Sequence, residues 1–453
     1  MPLLRLIAEG VGPFERLDLD FSDGHGNPHL GPHILAGVNG SGKSTALRAI
    51  AWAMSWSFGG FQEEEWSHFL RGHPESRALL LFKPPDGDRA GWACSKAVGK
   101  GARSNLVDWV HSIAADGPRV QYFFDTEPPA TCTWVGLGGP SVRSTVTGVN
   151  VAAYAPSRAL RHLHRPDRAE KPACASGKCL AFESTVDNEG IQAWLLSLHT
   201  RRALAKERGQ STEAYEYALG GFQKALELVC GMNVGIDVDI EPALQLRLHI
   251  YGGSFNFSQL PDGVRNTVGW LADFMMRQDM MQWDPVLKGK RPGILLLDEV
   301  DAHLHPSWQR KLLPAMRAAL PHVQIIVTSH SPFVISSCRG ARVHVLDLKD
   351  GQAYLARSED VPFGESVTAT LREIFGVSSR FDVDTEKKLE EWNELSRQEA
   401  VGPLSRADTR RLEKLTAELG GRSEELRSIV GVRQLPGRNS KAKPSKRRQR
   451  LAG

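Results

Sequence analysis

The sequence predicts an α/β fold built on a buried parallel sheet, with a helical insertion and a small helical bundle toward the C-terminal end. Three apolar segments, each followed by polar residues of a particular kind, predict the sheet. The segments are His33-Ile34-Leu35-Ala36, Ile294-Leu295-Leu296-Leu297 and Val323-Gln324-Ile325-Ile326-Val327. Short, nearly continuous apolar runs are typical of strands that are covered on both faces, as the strands of a parallel sheet are.

The first apolar segment leads into a glycine-rich loop, Gly37 to Ser44, that fits the pattern G-x-x-x-x-G-K-[ST]. Glycines let the backbone point its N–H groups inward at phosphate oxygens. Lys43 can reach the β and γ phosphates of a nucleoside triphosphate, and the Ser44 hydroxyl can ligate Mg²⁺. A helical segment from Ala46 to Ala53 adds the partial positive charge of its N-terminus. The residues predicted to bind the nucleotide here are Asn39, Gly40, Ser41, Gly42, Lys43, Ser44 and Thr45.

Residues that suit phosphate chemistry follow the other two apolar segments: Asp298-Glu299 after the first, and His330 after the second, which continues to Thr328-Ser329. Ligands of open α/β sheets bind at the carboxyl ends of the strands. We therefore predict that Asp298 and Ser44 hold a magnesium ion, and that Glu299 orients or deprotonates the water that attacks the γ-phosphate. His330 is predicted to hydrogen-bond the γ-phosphate. ATP and Mg²⁺ are the ligands that this set of residues implies.

The order of these motifs resembles that of the ABC-type ATPases of the SMC and RecF kind. The opening segment with Gly12-Pro13-Phe14 is similar to that family's first hairpin, and residues 1–14 read as a strand rather than a signal peptide. The resemblance is clearest over residues 1–80 and 250–345. It implies a P-loop head that binds ATP between two copies of the chain, so we expect a homo-oligomer that is at least a dimer.

The resemblance also implies a signature segment, which reaches the nucleotide of the other copy. The candidate is Ser258 to Asn266, and a helix is predicted to begin after it, from Thr267 to Met275. Pro261 stands where the family has serine, and the lost hydrogen bond is worth about 1–3 kcal/mol. Slow hydrolysis, or a dimer that relies on Arg265, would follow, and a purely structural Pro-Asp-Gly turn is the alternative. The predicted nucleotide-binding residues of this segment are Leu260, Asp262, Gly263 and Arg265.

A second departure from the family concerns the glutamine that usually couples the nucleotide to the helical part of the head. The apolar segment from Val151 ends in Arg158 instead. Arg158 is predicted to contact the phosphates or the neighbouring subunit, and a structural surface arginine is the alternative.

The chain of 453 residues is long enough for several units, and five segments are predicted. They are residues 1–155 and 251–348 as the two parts of the head, 156–250 as a mostly helical lid, 349–432 as a C-terminal helical region, and 433–453 as a disordered tail. The lid lacks the sustained heptads of a long coiled coil. Two alternatives remain for the side chains of His162, His164, Cys174 and Cys179: a zinc site, or a loop with incidental thiols.

Composition sets further bounds on the function. A hydrophobic content of 41% and a charged content of 24% are typical of a globular protein, and no apolar run approaches the length of a membrane span. Six scattered cysteines do not suggest a disulfide framework, so a cytoplasmic location is expected. Residues 433–453 contain eight basic residues and no acid. Because the whole chain has a net charge of +4, the remainder of the chain has a net charge of −4. Such a tail can bind nucleic acid or an acidic partner, or simply be solvated.

A narrower resemblance concerns residues 260–263, 298–306 and 374–377 together with Arg380. These segments look like the ATPase subunits of bacterial anti-phage systems, particularly the Septu type and retron-associated ATPases, which work with a separate HNH nuclease. The implied function is an ATPase that restrains or licenses a nuclease or toxin partner. The alternatives are a RecF-like DNA-repair ATPase that binds DNA itself, an ATP-gated scaffold with little turnover, the ATPase subunit of a membrane transporter, and a nuclease that uses Asp382 and Asp384.

Overall fold

The computed structural model describes residues 2–29, 31–58, 75–83, 90–96, 109, 121–122, 134–137, 150–156, 159–161, 182, 185–239, 245–250, 252–256, 259–280, 291–361, 366–377 and 381–431. Three of the predicted features lie outside these residues: Arg158, the four candidate zinc ligands and the basic tail.

The strands of the described residues are numbered in chain order. They are β1 Leu3–Val11, β2 Phe14–Asp20, β3 His33–Gly37, β4 Ser76–Phe82, β5 Ala90–Lys96, β6 Gln121–Tyr122, β7 Trp134–Leu137, β8 Asn150–Tyr154, β9 Ala159–Arg161, β10 Thr185–Asp187, β11 Gly235–Asp239, β12 Gln245–Ile250, β13 Gly253–Phe255, β14 Gly293–Leu297, β15 Val323–Thr328, β16 Arg342–Lys349 and β17 Gln352–Asp360.

The helices are numbered in the same way. They are α1 Lys43–Phe58, α2 Asn188–Glu207, α3 Glu213–Cys230, α4 Asp262–Met280, α5 Pro306–Ala319, α6 Pro332–Ile335, α7 Val367–Glu373, α8 Val383–Val401, α9 Arg406–Arg422 and α10 Glu424–Ile429. None of the helices in the described part of the chain combines the length and the apolar character that crossing a membrane requires.

The predicted parallel sheet is present and carries the candidate site at one edge. Its strand order is β17-β16-β3-β15-β14-β8, and every neighbouring pair is parallel except β16 and β17. The strands β3, β15 and β14 are adjacent, so the residues that follow them meet at the same carboxyl edge of the sheet. The three apolar segments of the sequence therefore converge as predicted.

The central strands are buried on both faces, which explains their continuous apolar sequence. On β14, Ile294 and Leu296 pack into a core with α1 and with β1, β2 and β4. Leu295 and Leu297 point to the other face, into a core that contains residues of α2 to α6. Strands β1 and β2 form the predicted first hairpin, and with β4 to β7 they make a second sheet, order β2-β1-β4-β5-β6 with β7 beside β5.

The described chain divides into two compact units, Met1–Gly376 and Val377–Gly453. The predicted boundary at residue 348 falls inside the hairpin of β16 and β17. Because β17 pairs with β16 from Gln352 to Asp360, this strand belongs to the first unit. Most residues of β17 are exposed and polar, so its sequence lacks the apolar pattern that indicates a buried strand.

The second unit contains the helices α8, α9 and α10, within the region that the sequence predicts to be helical. Leu419, Leu426 and Val430 form its small core, against which Leu389 and Trp392 pack. Ser405 caps α9 by accepting the backbone N–H of Asp408, as its sequence indicates.

The two acids of the nuclease alternative have structural roles in this unit. Asp382 is the N-cap of α8 and accepts the backbone N–H groups of Asp384 and Thr385. Asp384 pairs with Arg422 at 2.8 Å. Both carboxylates are thus engaged within the helical unit, which gives them a reason to be present other than metal binding.

Candidate functional site

The glycine loop joins β3 to α1, and two of its glycines occupy positions that a side chain could not share. Gly37 has φ +145°, and a Cβ there would lie 2.0 Å from the carbonyl oxygen of Leu346. Gly42 has φ +84°, and its Cβ would lie 2.5 Å from the ring of Phe14. The loop is therefore packed between β16 and the first hairpin, while Asn39 and Gly40 are exposed at its tip.

Lys43 is the first residue of α1 and only 5% of its surface is exposed. Its ammonium donates to the carbonyl oxygens of Gly37 at 3.1 Å and Val38 at 2.8 Å. Burial lowers the pKa of Lys43 to about 8, although the nearby carboxylates of Asp298 and Glu299 act in the opposite direction. The side chain is held over its own loop, in a position from which it can turn to an anion.

The glycine loop and the Asp-Glu pair are brought together by a direct hydrogen bond. The Ser44 hydroxyl donates to Asp298 Oδ1 at 2.9 Å, across 254 residues of sequence. The Thr328 hydroxyl, at the end of β15, donates to the same oxygen at 2.6 Å. Asp298 is 2% exposed, and its backbone N–H donates to the carbonyl oxygen of Tyr154 on β8. Three adjacent strands and the start of α1 thus position one carboxylate.

Glu299 follows Asp298 in an unusual backbone conformation, with φ +45°. Its N–H donates to Thr328 Oγ1 at 2.6 Å, and the next N–H, of Val300, donates to the carbonyl oxygen of Thr328. Left-handed conformations are unfavourable for side-chain-bearing residues and persist only where neighbours impose them. The end of β15 therefore sets the direction in which the Glu299 side chain leaves the sheet.

His330 lies two residues beyond β15 and is partly buried. Burial lowers its pKa below the usual 6.5, the positive charge of Lys43 lowers it further, and Asp301 and Asp298 act in the opposite direction. The imidazole is therefore neutral at pH 7, with one ring nitrogen as a donor and the other as an acceptor.

The residues around the loop fit a magnesium–triphosphate. Lys43 is a buried cation, and both of the hydrogen bonds described above go to carbonyl oxygens, which are neutral groups. A polyanion would supply the counter-charge. The Ser41 hydroxyl is buried and has no hydrogen-bond partner in the described part of the chain. A hydroxyl and a carboxylate, from Ser44 and Asp298, are oxygen ligands of the kind that Mg²⁺ prefers. Thr45 is partly buried beside Gly12.

The signature segment differs from the prediction in one respect: its helix begins earlier. Helix α4 starts at Asp262 rather than Thr267, so Asp262, Gly263 and Arg265 belong to its first turn. The Arg265 guanidinium pairs with Asp262, and the Arg265 N–H donates to the carbonyl oxygen of Pro261. Asp and Gly are weak helix formers, which is why the sequence favoured a turn here.

Leu260, also predicted to bind nucleotide, is 3% exposed and packs in the core on the helical face of the sheet. Its side chain anchors the start of α4. Asp262 and Pro261 are exposed, and Gly263 and Arg265 are partly buried.

Sequence reasoning missed several residues that support the site. The Thr328 hydroxyl contacts both members of the Asp-Glu pair, and Gln309 on α5 donates to the carbonyl oxygen of Leu304 at 2.9 Å. A threonine as the last residue of an apolar strand, beside a strand that ends in acids, was the available signal. Gln309 had no such signal, because its contact depends on how α5 packs.

A glycine loop between a parallel strand and a helix, beside a strand that ends in Asp-Glu, defines the class of P-loop nucleotide-binding folds. Two family profiles match the chain: "AAA domain" over residues 5–79 and "AAA domain, putative AbiEii toxin, Type IV TA system" over residues 239–336. The first range contains the glycine loop, and the second contains Asp298, Glu299 and His330.

Particular relatives are similar over short ranges. "Retron Ec83 probable ATPase" of Escherichia coli is 34% identical over 103 residues, which cover 23% of this chain and 19% of that protein. "Retron Vc95 probable ATPase" of Vibrio cholerae serotype O1 biovar El Tor is 25% identical over 138 residues, covering 30% and 26%. "Septu protein PtuA" of Bacillus thuringiensis is 31% identical over 113 residues, covering 22% and 28%. The matches thus span between a fifth and somewhat over a quarter of these relatives.

Two solved SMC heads align with most of the chain. One is an Smc head bound to the C-terminal winged-helix domain of ScpA, with a TM-score of 0.46 and 14% identity over 80% of this chain and 98% of that one. The other is the SMC head domain from Thermotoga maritima, with a TM-score of 0.40 and 17% identity over 80% of this chain and 100% of that one.

Proposed function

We propose that this protein is a magnesium-dependent ATPase. The observation that carries the proposal is the hydrogen bond between Ser44 and Asp298, which brings the glycine loop and the Asp-Glu pair to one point. Those two residues would hold Mg²⁺, which when bound neutralises charge on the phosphate oxygens. The names of two of the relatives, each called a "probable ATPase", support the same activity.

Each residue of the site has a defined task in this proposal. Lys43 leaves the carbonyl oxygens of its own loop and donates to the β and γ phosphates. Glu299 orients the attacking water or accepts its proton. The other residues align the phosphates and neutralise their charge, which is most of what phosphoryl transfer needs. His330, neutral at pH 7, donates a ring N–H to the γ-phosphate and reports whether that group is present.

We further infer that two copies of the chain share each nucleotide. Backbone N–H groups and the dipole at the start of a helix attract phosphate, and α4 begins in the signature segment. Gly263 and Arg265 lie in this turn and Asp262 beside them is exposed. ATP bound at the glycine loop of one copy would be clamped by this turn of the other copy, so that binding joins the copies.

The biological role we propose is regulation of a partner in anti-phage defence. Support comes from the resemblance to retron and Septu ATPases, whose systems combine an ATPase with a separate effector. The partner would be a nuclease of the HNH type or a toxin, held inactive or released according to the nucleotide state. Co-purification of the chain with the product of a neighbouring reading frame tests this role, and a neighbourhood without nuclease or toxin contradicts it.

The substitution Glu299→Gln tests the chemistry. We expect the variant to bind ATP as the parent does, to hydrolyse it on the order of 10²–10⁴ times more slowly because it lacks the base, and to form an ATP-dependent oligomer. Steady-state phosphate release, nucleotide binding and native mass measure these three quantities. Lys43→Ala is the control and should bind no nucleotide. Equal turnover of Glu299→Gln and the parent would falsify the role of Glu299, and an inactive parent that still oligomerises with ATP would favour the scaffold alternative.

A further inference from the structure

The loop that follows Glu299 is braced from two sides. The Ser329 hydroxyl, beyond β15, donates to Asp301 Oδ1 at 2.6 Å. From α5, the Gln309 amide donates to the carbonyl oxygen of Leu304 at 2.9 Å. These contacts hold the loop from Asp301 to Leu304 against the end of β15 and the first turns of α5.

The same loop contains a second residue in a left-handed conformation. His303 has φ +62°, four residues after Glu299 with its φ of +45°. A short loop with two such residues relaxes unless its surroundings enforce the conformation. Besides the contacts with Thr328, contacts to the backbone near His303 therefore help to hold the loop that carries Glu299.

The contact at His303 comes from the signature segment of the same chain. A Cβ on Gly263 would lie 2.5 Å from the His303 carbonyl oxygen and 3.4 Å from Leu304 Cδ2. The first of these atoms is backbone, which cannot rotate away as the end of a side chain can. The helix cannot retreat easily either, because Leu260 and Val264 on both sides of Gly263 are buried in the core against which Leu304 packs.

We infer that Gly263 is a positioning residue for Glu299, acting through the carbonyl group of His303. This inference rests on the proposed ATPase function and deepens it. The missing side chain lets the first turn of α4 lie directly against the loop, so that a movement of the signature helix moves the loop that carries the base. Nucleotide bound by the signature turn of one copy would in this way adjust the catalytic loop of that same copy.

The substitution Gly263→Ala separates this role from phosphate binding by the Gly263 N–H, because alanine keeps the N–H and adds only the methyl group. We expect kcat to fall about 10- to 100-fold, because the methyl group would displace the Glu299 carboxylate by about 1 Å. KM for ATP and the affinity for nucleotide should stay within about twofold of the parent values. Hydrogen exchange in the peptide covering residues 299–304 should become faster. Gly220→Ala is the matched control, since Gly220 lies in a helix with nothing within 4 Å of its Cβ position.

A second variant guards against a general folding defect. His303→Gly removes the strain of the left-handed position and lets the carbonyl group shift. We therefore expect Gly263→Ala to cost less kcat and less exchange protection when it is added to His303→Gly than when it is added to the parent. Parent-like kcat and exchange in Gly263→Ala, or a double variant without recovery, would overturn the inference. If the parent hydrolyses no ATP the proposed function fails, whereas exchange at residues 299–304 still decides whether Gly263 braces the loop.

Discussion

At the scale of single residues, Lys43 shows how burial prepares a side chain for a polyanion. The ammonium is almost fully buried and is satisfied by two carbonyl oxygens, which carry only partial charges. Its pKa of about 8 lies well below the usual 10.5 because burial disfavours the charged form. Phosphate oxygens would restore a full counter-charge and raise the pKa, so nucleotide binding and protonation of Lys43 are linked.

This linkage predicts that ATP binding weakens as the pH rises through about 8. In the free protein Lys43 loses its proton above that pH, whereas in the complex it keeps it, so binding must take up a proton. We expect the Kd for Mg·ATP to be roughly tenfold higher at pH 9 than at pH 7, measured by calorimetry or a fluorescent nucleotide. Lys43→Arg, which does not titrate in this range, should lack the dependence if it binds. A constant Kd for the parent across this range would contradict the linkage.

At the scale of elements, β8 connects the Asp-Glu strand to the signature helix. The carbonyl oxygen of Tyr154 accepts the N–H of Asp298, and the Tyr154 hydroxyl donates to Asp273 Oδ2 on α4 at 2.6 Å. Arg277 donates to the same carboxylate oxygen at 2.7 Å. Asp273 is 2% exposed, so this hydrogen-bonded group is inside the protein, where losing a partner is costly.

Removal of the Tyr154 hydroxyl tests this connection. We expect Tyr154→Phe to lower the free energy of unfolding by about 1–2 kcal/mol, because a buried carboxylate loses one of its donors. Denaturant titration of the full chain measures the change. Tyr217→Phe is the matched control, since Tyr217 is 66% exposed on α3, and it should change stability by no more than about 0.5 kcal/mol. Similar values for the two variants would show that the bond contributes nothing.

At the scale of the whole molecule, charge is distributed unevenly along the chain. The last 21 residues hold eight basic residues and no acid, and the rest of the chain is net acidic. An acidic body repels the DNA backbone, whereas a basic tail attracts it at low salt. The balance between this repulsion and this attraction determines whether the protein binds DNA itself, as in the RecF-like alternative, or acts through a partner.

We expect any affinity of the purified protein for duplex DNA to depend on residues 433–453 and to fall by orders of magnitude between 50 and 200 mM salt, since it rests on phosphate contacts. Fluorescence anisotropy with the parent and a chain truncated after residue 432 measures this, and ATP hydrolysis by the truncated chain should be unchanged. Tail-dependent binding by the parent favours the DNA-repair alternative. Affinity that survives the truncation would contradict the assignment to the tail.

How far the sequence predicted the molecule depended on how local each signal was. The continuous apolar runs of β3, β14 and β15 predicted the parallel sheet. The rule that ligands bind at the carboxyl ends of such strands predicted that Lys43, Ser44 and Asp298 meet at one edge. The start of α4 was placed five residues too late because Asp262 and Gly263 have weak helix propensity, which packing of Leu260 and Val264 overrides. Strand β17 fell outside the predicted head because backbone pairing with β16, rather than an apolar pattern, defines this strand.

The sequence by itself determined which chemical groups the candidate site contains: a glycine loop with a lysine and a serine, and an acidic pair at the end of a buried strand. Those features are encoded in residue type and spacing over a few positions, where steric and electrostatic requirements act locally. Only the tertiary structure decided which groups hold the site in place, namely Thr328 between Asp298 and Glu299, Tyr154 with Asp273, and Gly263 against His303. Such contacts join residues distant in the chain, and close packing, which no local pattern records, sets their distances.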